Sequence, residues 1–91
     1  MTEIIKTNGT RYPVQPANGT HFTLGELQTI VGGCIELVEL DGDTTMVVNE
    51  EGKLEDLPLN LEATGMFRSH YPDSDDFIVG DVLVCNNNQI R

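Results

Sequence analysis

The amino-acid sequence predicts an α+β fold: a small mixed, mainly antiparallel curled sheet built from hairpins, with one short capped helix and a second irregular helix. Short apolar runs separated by turn signals rich in glycine, asparagine and aspartate are typical of hairpin strands. One segment carries a helix-capping pattern, and a long apolar run near the C-terminus is typical of a buried strand. We expect both helices to pack against one face of the sheet.

The length predicts a single domain over residues 1–91, with an N-terminal hairpin and loop at 1–20 and a polar tail at 86–91. No apolar run approaches the ~20 residues of a membrane span, and the first residues lack the pattern of a signal peptide. We therefore expect no membrane association and a cytoplasmic location. In such a reducing compartment Cys34 and Cys85 are expected to be buried free thiols.

Charge is the clearest compositional signal. Fifteen acidic residues against five basic ones give a formal net charge of −10. Such a surface repels a polyanion, so direct binding to nucleic acid is disfavoured. The charge would suit a basic protein partner or a mimic of DNA. A charged face that only keeps a small protein in solution explains it as well.

The first two strands are predicted at Glu3–Lys6 and Arg11–Val14. Asn8 and Gly9 between them are typical of a type I′ turn, in which both residues take a positive φ angle. Pro13 would place the second strand at an edge of the sheet, because proline has no N–H group for a neighbouring strand.

A first helix is predicted within the segment "FTLGELQTIVGG". Thr23 and Glu26 stand three residues apart, which is the spacing of a capping box. Leu27 and Val31 lie on one apolar helical face, and Gly32 permits a left-handed end to the helix.

Two more strands are predicted at Cys34–Leu40 and Thr44–Asn49, joined by a tight turn at "DGD". In the first strand Leu37 and Val38 are adjacent apolar residues, so we expect a bulge that turns the glutamates on either side towards water. The second strand is apolar on both faces, which is typical of a central strand.

The segment "NEEG" predicts a type I turn closed by a glycine bulge. The side chain of Asn49 would bond the backbone two residues on, and Gly52 would take a left-handed conformation. The next strand would begin at Lys53. The two glutamates would project from the turn into water, so no metal ion is needed to explain them.

The segment "LPLNLEATGMFRSHY" predicts a second, short or irregular helix. Asn60 is the expected N-cap, and Leu61, Met66 and Phe67 would form the apolar side. A glycine within the segment costs ~1 kcal/mol of helix stability relative to alanine, which is why we expect irregularity.

Phe77–Cys85 is predicted as a central strand, since both of its faces are apolar. Regular pleating would bury the carboxylate of Asp81 on an apolar face, which is costly without a partner. A bulge at Gly80 would expose Asp81 instead. We favour the bulge, because glycine within a strand commonly marks one.

No motif in the sequence indicates an enzyme, a metal site or a bound cofactor. Ser69 and His70 are adjacent, so on a helix they are expected to point apart rather than form a catalytic pair. The histidines and cysteines are widely separated, unlike the ligands of structural zinc sites. The acidic loop "DSDD" lacks the final ligand of a calcium loop, and no glycine-rich phosphate loop is present.

Three segments of the chain, "LQTIVGGCIELVEL", "MVVNEEGKLEDLPLN" and "FIVGDVLVC", resemble a family of phage and bacterial proteins, the domain of unknown function DUF3846. The likeness defines a family-like core over residues 22–85. Many members have an aromatic residue where this chain has Cys34. The resemblance implies no settled activity, but it implies a setting in phages or mobile elements, and the host cytoplasm if the protein is phage-encoded.

In that setting the resemblance implies a non-enzymatic binding protein that counters host defence by sequestering a nucleotide-like signal molecule. The alternatives are an acidic inhibitor of a host defence protein, acting as a DNA mimic or a direct blocker, and a housekeeping role. A homodimer would build a pocket between its two copies and bring cationic groups together. The candidate ligand-binding residues are Glu50, Glu51, Lys53, Asn60, Arg68 and Tyr71.

Overall fold

The computed structural model describes residues 2–90, which form a five-stranded sheet with two helices. The strands are β1 (Glu3–Ile5), β2 (Arg11–Pro13), β3 (Ile35–Glu39), β4 (Thr44–Asn49) and β5 (Val82–Asn86), and the helices are α1 (Leu24–Val31) and α2 (Leu61–His70). The strand order is β2-β1-β5-β4-β3, and all neighbouring strands are antiparallel. A 3-10 turn (Asn87–Gln89) follows β5, and an isolated parallel bridge joins Phe22 to Ile90. The predicted α+β fold is confirmed.

The two helices lie on opposite faces of the sheet, so the expectation that they share one face is wrong. Met46 and Val48 of β4 belong to the same buried cluster as Ala63 of α2, whereas Val47 clusters with Leu27 of α1. Successive residues of a strand point to opposite faces. Because β4 is apolar on both faces, each face needs its own helix. A face without a helix would lose a hydrophobic stabilisation of about 25 cal/mol for each Å² of apolar surface left in water.

The helix α1 begins with the predicted capping box. The Thr23 hydroxyl accepts from the N–H of Glu26 at 3.2 Å, and the Glu26 carboxylate accepts from the N–H of Thr23 at 2.8 Å. The second oxygen of that carboxylate accepts from the N–H of Ala17 at 3.0 Å, which ties the loop after β2 to the helix. These backbone donors, Thr23 first, hold the pKa of Glu26 below its ordinary value. The helix ends at Gly32 with a φ of 82°, as predicted.

The helix α2 is capped by Asn60, as predicted, through a hydrogen bond from the N–H of Ala63 at 3.0 Å. Ala63 is fully buried, and Met66 and Phe67 pack against the core. Leu61 is 73% exposed, so its predicted place on the apolar side is wrong. Ala63, Met66 and Phe67 are three or four positions apart, so they share one face of the helix. Leu61 lies two positions before Ala63 and points to a different face.

The first hairpin forms as predicted, with β2 at the edge of the sheet, but its turn is of another type. Gly9 has a φ of 90°, whereas Asn8 does not take a positive φ, so the predicted type I′ turn is wrong. The N–H of Gly9 donates to the Lys6 carbonyl at 3.0 Å, and the Asn8 side chain accepts from the N–H of Thr10 at 2.9 Å. A type I turn followed by a left-handed glycine also connects antiparallel strands.

The strand β3 is regular, so the bulge predicted at Leu37 and Val38 is wrong. Its residues pair one to one with those of β4. Val38 packs against the core on the α2 face, whereas Leu37 points to the other face and is 52% exposed. No bulge is needed because β3 lies at the edge of the sheet, where one of its faces is only partly covered.

The strand β5 is central, as predicted, but it begins only at Val82. Gly80 takes a φ of 78° just before the strand, so the bulge predicted within it does not form, but Asp81 is released from the apolar face and its side chain is 29% exposed. The Asp81 carboxylate lies 3.2 Å from the Lys6 ammonium and accepts from the N–H of Thr7 at 3.0 Å. This carboxylate raises the pKa of Lys6.

Cys34 and Cys85 are free thiols, as predicted. Cys85 is buried, and burial raises the pKa of its thiol to about 11. Cys34 is exposed, so its predicted burial is wrong. No helix within residues 2–90 is long and apolar enough to cross a membrane.

Candidate functional site

The segment that follows β4 is a single helical turn, so the strand predicted to begin at Lys53 is wrong. The segment starts as predicted. The side-chain oxygen of Asn49 accepts from the N–H of Glu51 at 2.8 Å, and the Asn49 carbonyl accepts from the N–H of Gly52 at 3.2 Å. Asn49 thus caps the turn and ends the strand, which fixes where the neighbouring glutamates project.

The far end of this turn is a Schellman motif. The N–H of Leu57 donates to the Gly52 carbonyl at 3.0 Å, and that of Asp56 donates to the Lys53 carbonyl at 3.3 Å. Asp56, with a φ of 54°, takes the left-handed position, so the prediction that Gly52 does so is wrong. Gly52 is required for another reason: a Cβ atom there would lie 2.8 Å from Cγ2 of Val79.

A cleft of about 280 Å³ opens between this turn, the strands β3 and β4, and the loop before β5. It lies on the α2 face of the sheet, because Val38, Val48 and Phe67 belong both to its lining and to the core on that face. Charged side chains line the cleft beside this apolar surface. They are Glu36, Glu50, Lys53 and Asp76.

Lys53 lies on the loop side of the cleft. Its ammonium forms an ion pair with Asp76 and lies 4.4 Å from the centre of the Phe77 ring, which is a cation–π contact. The lysine also holds the pKa of Asp76 below its ordinary value. Because Asp76 neutralises Lys53, this lysine adds little positive charge to the cleft.

Glu36 and Glu50 are exposed and line the cleft, and neither forms an ion pair with another residue that the structure describes. Within residues 2–90 the cationic side chains are already engaged: Lys6 with Asp81, Arg11 with Glu3 and Glu62, Lys53 with Asp76, and Arg68 with two backbone carbonyls. The lining of the cleft carries three carboxylates and one ammonium, so the charge of the lining is negative.

Arg68 and Tyr71 support the surroundings of the cleft rather than line it. Arg68 donates to the Asp76 carbonyl at 3.0 Å and to the Asp75 carbonyl at 3.2 Å, which fastens the acidic loop to α2. The Tyr71 hydroxyl donates to the Glu39 carbonyl at the outer edge of β3. Both side chains therefore position the two walls of the cleft.

Asn60 is fully buried and serves the fold. Its amide group donates to the Ile5 carbonyl at 3.0 Å and to the Gly80 carbonyl at 2.8 Å, while its oxygen caps α2. Both amide protons are used in these bonds, so the side chain has no donor left for a ligand.

The structure brings two of the predicted site residues, Glu50 and Lys53, into one cleft. Glu51 is exposed and lies outside it. Sequence reasoning missed Glu36 and Phe77. A glutamate within an apolar strand was the available signal for Glu36, whereas Phe77 joins the site only through its contact with the distant Lys53.

Ser69 and His70 are in contact, with Oγ 3.2 Å from Nδ1, so the expectation that they point apart is wrong. The Met66 carbonyl accepts from the Ser69 hydroxyl at 2.7 Å and lies 3.0 Å from Nδ1 of His70. Both side chains are thus directed at the Met66 carbonyl oxygen. Because the Ser69 hydroxyl donates its proton to this carbonyl, the contact does not activate the hydroxyl as a nucleophile. In the part of the chain that the structure describes, no group of three or more histidine, cysteine, aspartate or glutamate residues could hold a metal ion.

The fold and the cleft define a small acidic α+β domain. The sequence profile of the family described as a domain of unknown function (DUF3846) matches residues 1–90, and the chain belongs to this family. The match includes the N-terminal hairpin and the 3-10 turn after β5, which lie outside the segments that carry the resemblance. No curated protein and no solved structure matches the chain.

Proposed function

We propose that the protein is a non-enzymatic binding protein whose cleft holds a cationic side chain of a basic protein partner. One observation carries this proposal: Glu36 and Glu50 line the cleft without a cationic partner in residues 2–90, whereas Lys53 is neutralised by Asp76. A negatively charged cleft favours a cation over the phosphate of a nucleotide.

The lining of the cleft suits a lysine or arginine side chain. Val38, Val48 and Phe67 offer apolar surface for the methylene groups, and the carboxylates of Glu36 and Glu50 accept hydrogen bonds from the charged head. The cleft volume of about 280 Å³ lies below the range of about 300–1,000 Å³ that is usual for small-molecule pockets. One side chain therefore fits it better than a dinucleotide does.

The charge of the whole chain acts in the same direction. A net charge of −10 speeds association with a basic partner at low salt. In the phage or mobile-element setting that the family resemblance implies, the partner would be a host defence protein in the host cytoplasm. Under this proposal, the chain blocks the host protein by occupying the basic surface of that host protein.

A nucleotide-like signal molecule is the second candidate, and one observation favours it. The Lys53 ammonium lies beside the Phe77 ring at the cleft, and a cation next to an aromatic ring can bind a phosphate while a base stacks on the ring. Binding would require Lys53 to exchange Asp76 for the phosphate. A homodimer that joins two clefts would supply two such lysines.

The variants Glu50→Gln and Glu51→Gln separate the cleft from the general charge of the surface. Each removes one negative charge from adjacent exposed residues, but only Glu50 lines the cleft. The probe is a capped Gly-Arg-Gly peptide, and binding is followed by NMR shifts of the Val48 and Phe77 amides. We expect Glu50→Gln to weaken binding by up to about 5-fold, as for an exposed ion pair, and Glu51→Gln to change it little. Equal weakening by both variants would contradict the proposal.

The same titration with cyclic dinucleotides and ADP-ribose derivatives tests the second candidate. Lys53→Ala removes the cation and leaves Asp76 unpaired, so the cleft becomes more negative. We expect this variant to bind the arginine peptide at least as well as the wild-type protein does. Nucleotide binding that Lys53→Ala abolishes, with no response to the peptide, would replace the first candidate by the second.

A further inference from the structure

The hydrogen bonds around β3 fix which of its backbone groups face outward. The N–H of Leu40 donates to the Thr44 carbonyl at 2.9 Å, and the N–H of Glu50 donates to the Cys34 carbonyl at 2.8 Å. Both pairs continue the one-to-one register between β3 and β4. Along an antiparallel edge strand, the backbone groups of alternate residues bond to the neighbouring strand or point away from the sheet. The backbone groups of the even-numbered residues 34–40 bond to β4, so those of the odd-numbered residues point outward.

The outward-facing residues of β3 are therefore Ile35, Leu37 and Glu39, at the edge of the sheet. The Glu39 carbonyl accepts from the Tyr71 hydroxyl. No other hydrogen bond within residues 2–90 reaches the outward backbone groups of these residues. Such a row of N–H and C=O groups is a template for an added strand.

The side chains of β3 favour a basic, extended chain at this edge. Glu36 lies opposite Val48 on the α2 face and lines the cleft, whereas Glu39 lies on the opposite face, so carboxylates flank the edge on both sides. Leu37, 52% exposed, offers apolar surface between them. Opposite charges and apolar pairs across neighbouring strands stabilise a sheet.

We propose that β3 accepts an extended segment of a basic partner protein as a sixth strand, with a lysine or arginine of that segment entering the cleft beside Glu36. Main-chain hydrogen bonds to the outward groups supply affinity, and alternate side chains supply specificity. The inference rests on the proposed function for the basic character of the partner, and it adds the conformation of the partner and the strand that it contacts.

A second copy of the chain is the poorer occupant of this edge. Each copy carries a net charge of −10. Antiparallel pairing of two β3 strands centred on Leu37 would place Glu36 opposite Val38 and Glu39 opposite Ile35, so neither carboxylate would gain a cationic partner. The two negative copies repel each other, whereas a basic segment is attracted.

The test uses a fluorescein-labelled octapeptide of alternating lysine and valine, with binding measured by fluorescence anisotropy. Leu37→Pro removes an outward N–H group but no bond to β4, a position where an edge strand tolerates proline. Leu37→Ala trims the same side chain and keeps the N–H group. We expect Leu37→Pro to weaken binding by at least about tenfold and Leu37→Ala by no more than about threefold.

A fully N-methylated version of the octapeptide provides a second arm that does not depend on the stability of the proline variant. It keeps the charges but has no backbone N–H group to donate to β3. We expect it not to bind measurably. Binding as tight as that of the parent peptide would overturn the inference.

The remaining outcomes separate the inference from the proposed function. Unchanged binding by Leu37→Pro, with weaker binding by Glu50→Gln, would overturn strand addition and leave the cleft proposal standing. The reverse pattern would support strand addition and contradict the cleft proposal. A dimer in sedimentation equilibrium that Leu37→Pro dissociates would show that a second copy occupies the edge, and it would overturn the inference.

Discussion

The two edges of the sheet are built in opposite ways. The edge formed by β2 has three residues and includes Pro13, and its Arg11 is held by Glu3 and Glu62. The edge formed by β3 has five residues, no proline and an exposed Leu37. Short strands, proline and fixed charges protect an edge against further pairing. We call the β2 edge closed and the β3 edge open.

The two edges also differ in charge: charges are balanced at the closed edge and unbalanced at the open edge. The cation of the closed edge, Arg11, is balanced within the molecule. The open edge carries Glu36 and Glu39 and adjoins the cleft with Glu50, and none of these carboxylates forms an ion pair among the residues that the structure describes. This difference is the reason for assigning partner binding to the open edge.

The substitution with the largest expected effect on stability is at Asn60, whose side chain binds β1, the strand next to the closed edge. Asn60→Ala would remove the side-chain donor of the Ile5 and Gly80 carbonyls and the cap of α2. We expect the free energy of unfolding in urea to fall by about 2–4 kcal/mol. The exposed neighbour Leu61→Ala should change it by less than about 0.5 kcal/mol. Similar small effects of both would show that Asn60 does not join β1 to α2.

A smaller effect is expected in the turn beside the open edge. Gly52→Ala would place a Cβ atom 2.8 Å from Val79, whereas a Cβ atom at Gly42 in the β3–β4 hairpin meets nothing within 4 Å. We expect Gly52→Ala to lower the free energy of unfolding by about 1–3 kcal/mol. Gly42→Ala should change it by less than about 0.5 kcal/mol. A harmless Gly52→Ala would mean that the turn does not pack against residue 79.

Asp56, in the same turn, holds a left-handed conformation that suits glycine better. We expect Asp56→Gly to raise the free energy of unfolding by about 0.5 kcal/mol and Asp56→Ala to lower it by about as much. Both variants lose the carboxylate, so their difference isolates the backbone. Equal thermal midpoints for the two variants would rule out the Schellman motif.

The smallest effect is the pH dependence of stability at two exposed carboxylates, one in each half of the molecule. Glu26 ties the loop after the closed edge to α1, and Asp41 closes the hairpin of the open edge by accepting from the N–H groups of Asp43 and Thr44. Backbone donors, those of Thr23 and Asp43 first, lower the pKa of both acids from ordinary values of 4.5 and 3.8.

Since the folded-state pKa is lowered, the stabilisation is fully present above the ordinary pKa and is lost as the pH falls through the lowered value. We expect the urea midpoint to fall as the pH drops below the ordinary values of 4.5 and 3.8 and through the lowered ones, and to fall less in Glu26→Gln and in Asp41→Asn. Variants whose midpoints fall as steeply as the wild-type midpoint would contradict these hydrogen bonds.

Features that depend on neighbouring residues were predictable from the sequence. The capping box of α1 joins Thr23 to Glu26, and the cap of α2 joins Asn60 to Ala63. The other bonds of Asn60 were not predictable, because Ile5 is 55 positions away in the chain. A cap can be read from a short pattern, whereas a buried bridge depends on the tertiary fold.

The cleft was predictable only in part for the same reason. Glu50 and Lys53 stand in one turn, but the lysine's partner Asp76 is 23 positions further on, and that contact decides the sign of the charge in the cleft. The helices on opposite faces were within reach of sequence reasoning, because the adjacent apolar residues Met46 and Val47 already required two covered faces.

Amide hydrogen exchange along β3 tests the open edge most directly. In the free protein we expect the N–H groups of Leu37 and Glu39 to exchange rapidly, while those of Glu36 and Val38, bonded to β4, exchange slowly. Adding the basic octapeptide should slow the first pair and leave the second unchanged. If Leu37 exchanges as slowly as Val38 in the free monomer, or stays fast when the peptide is bound, the edge is not the site of strand addition.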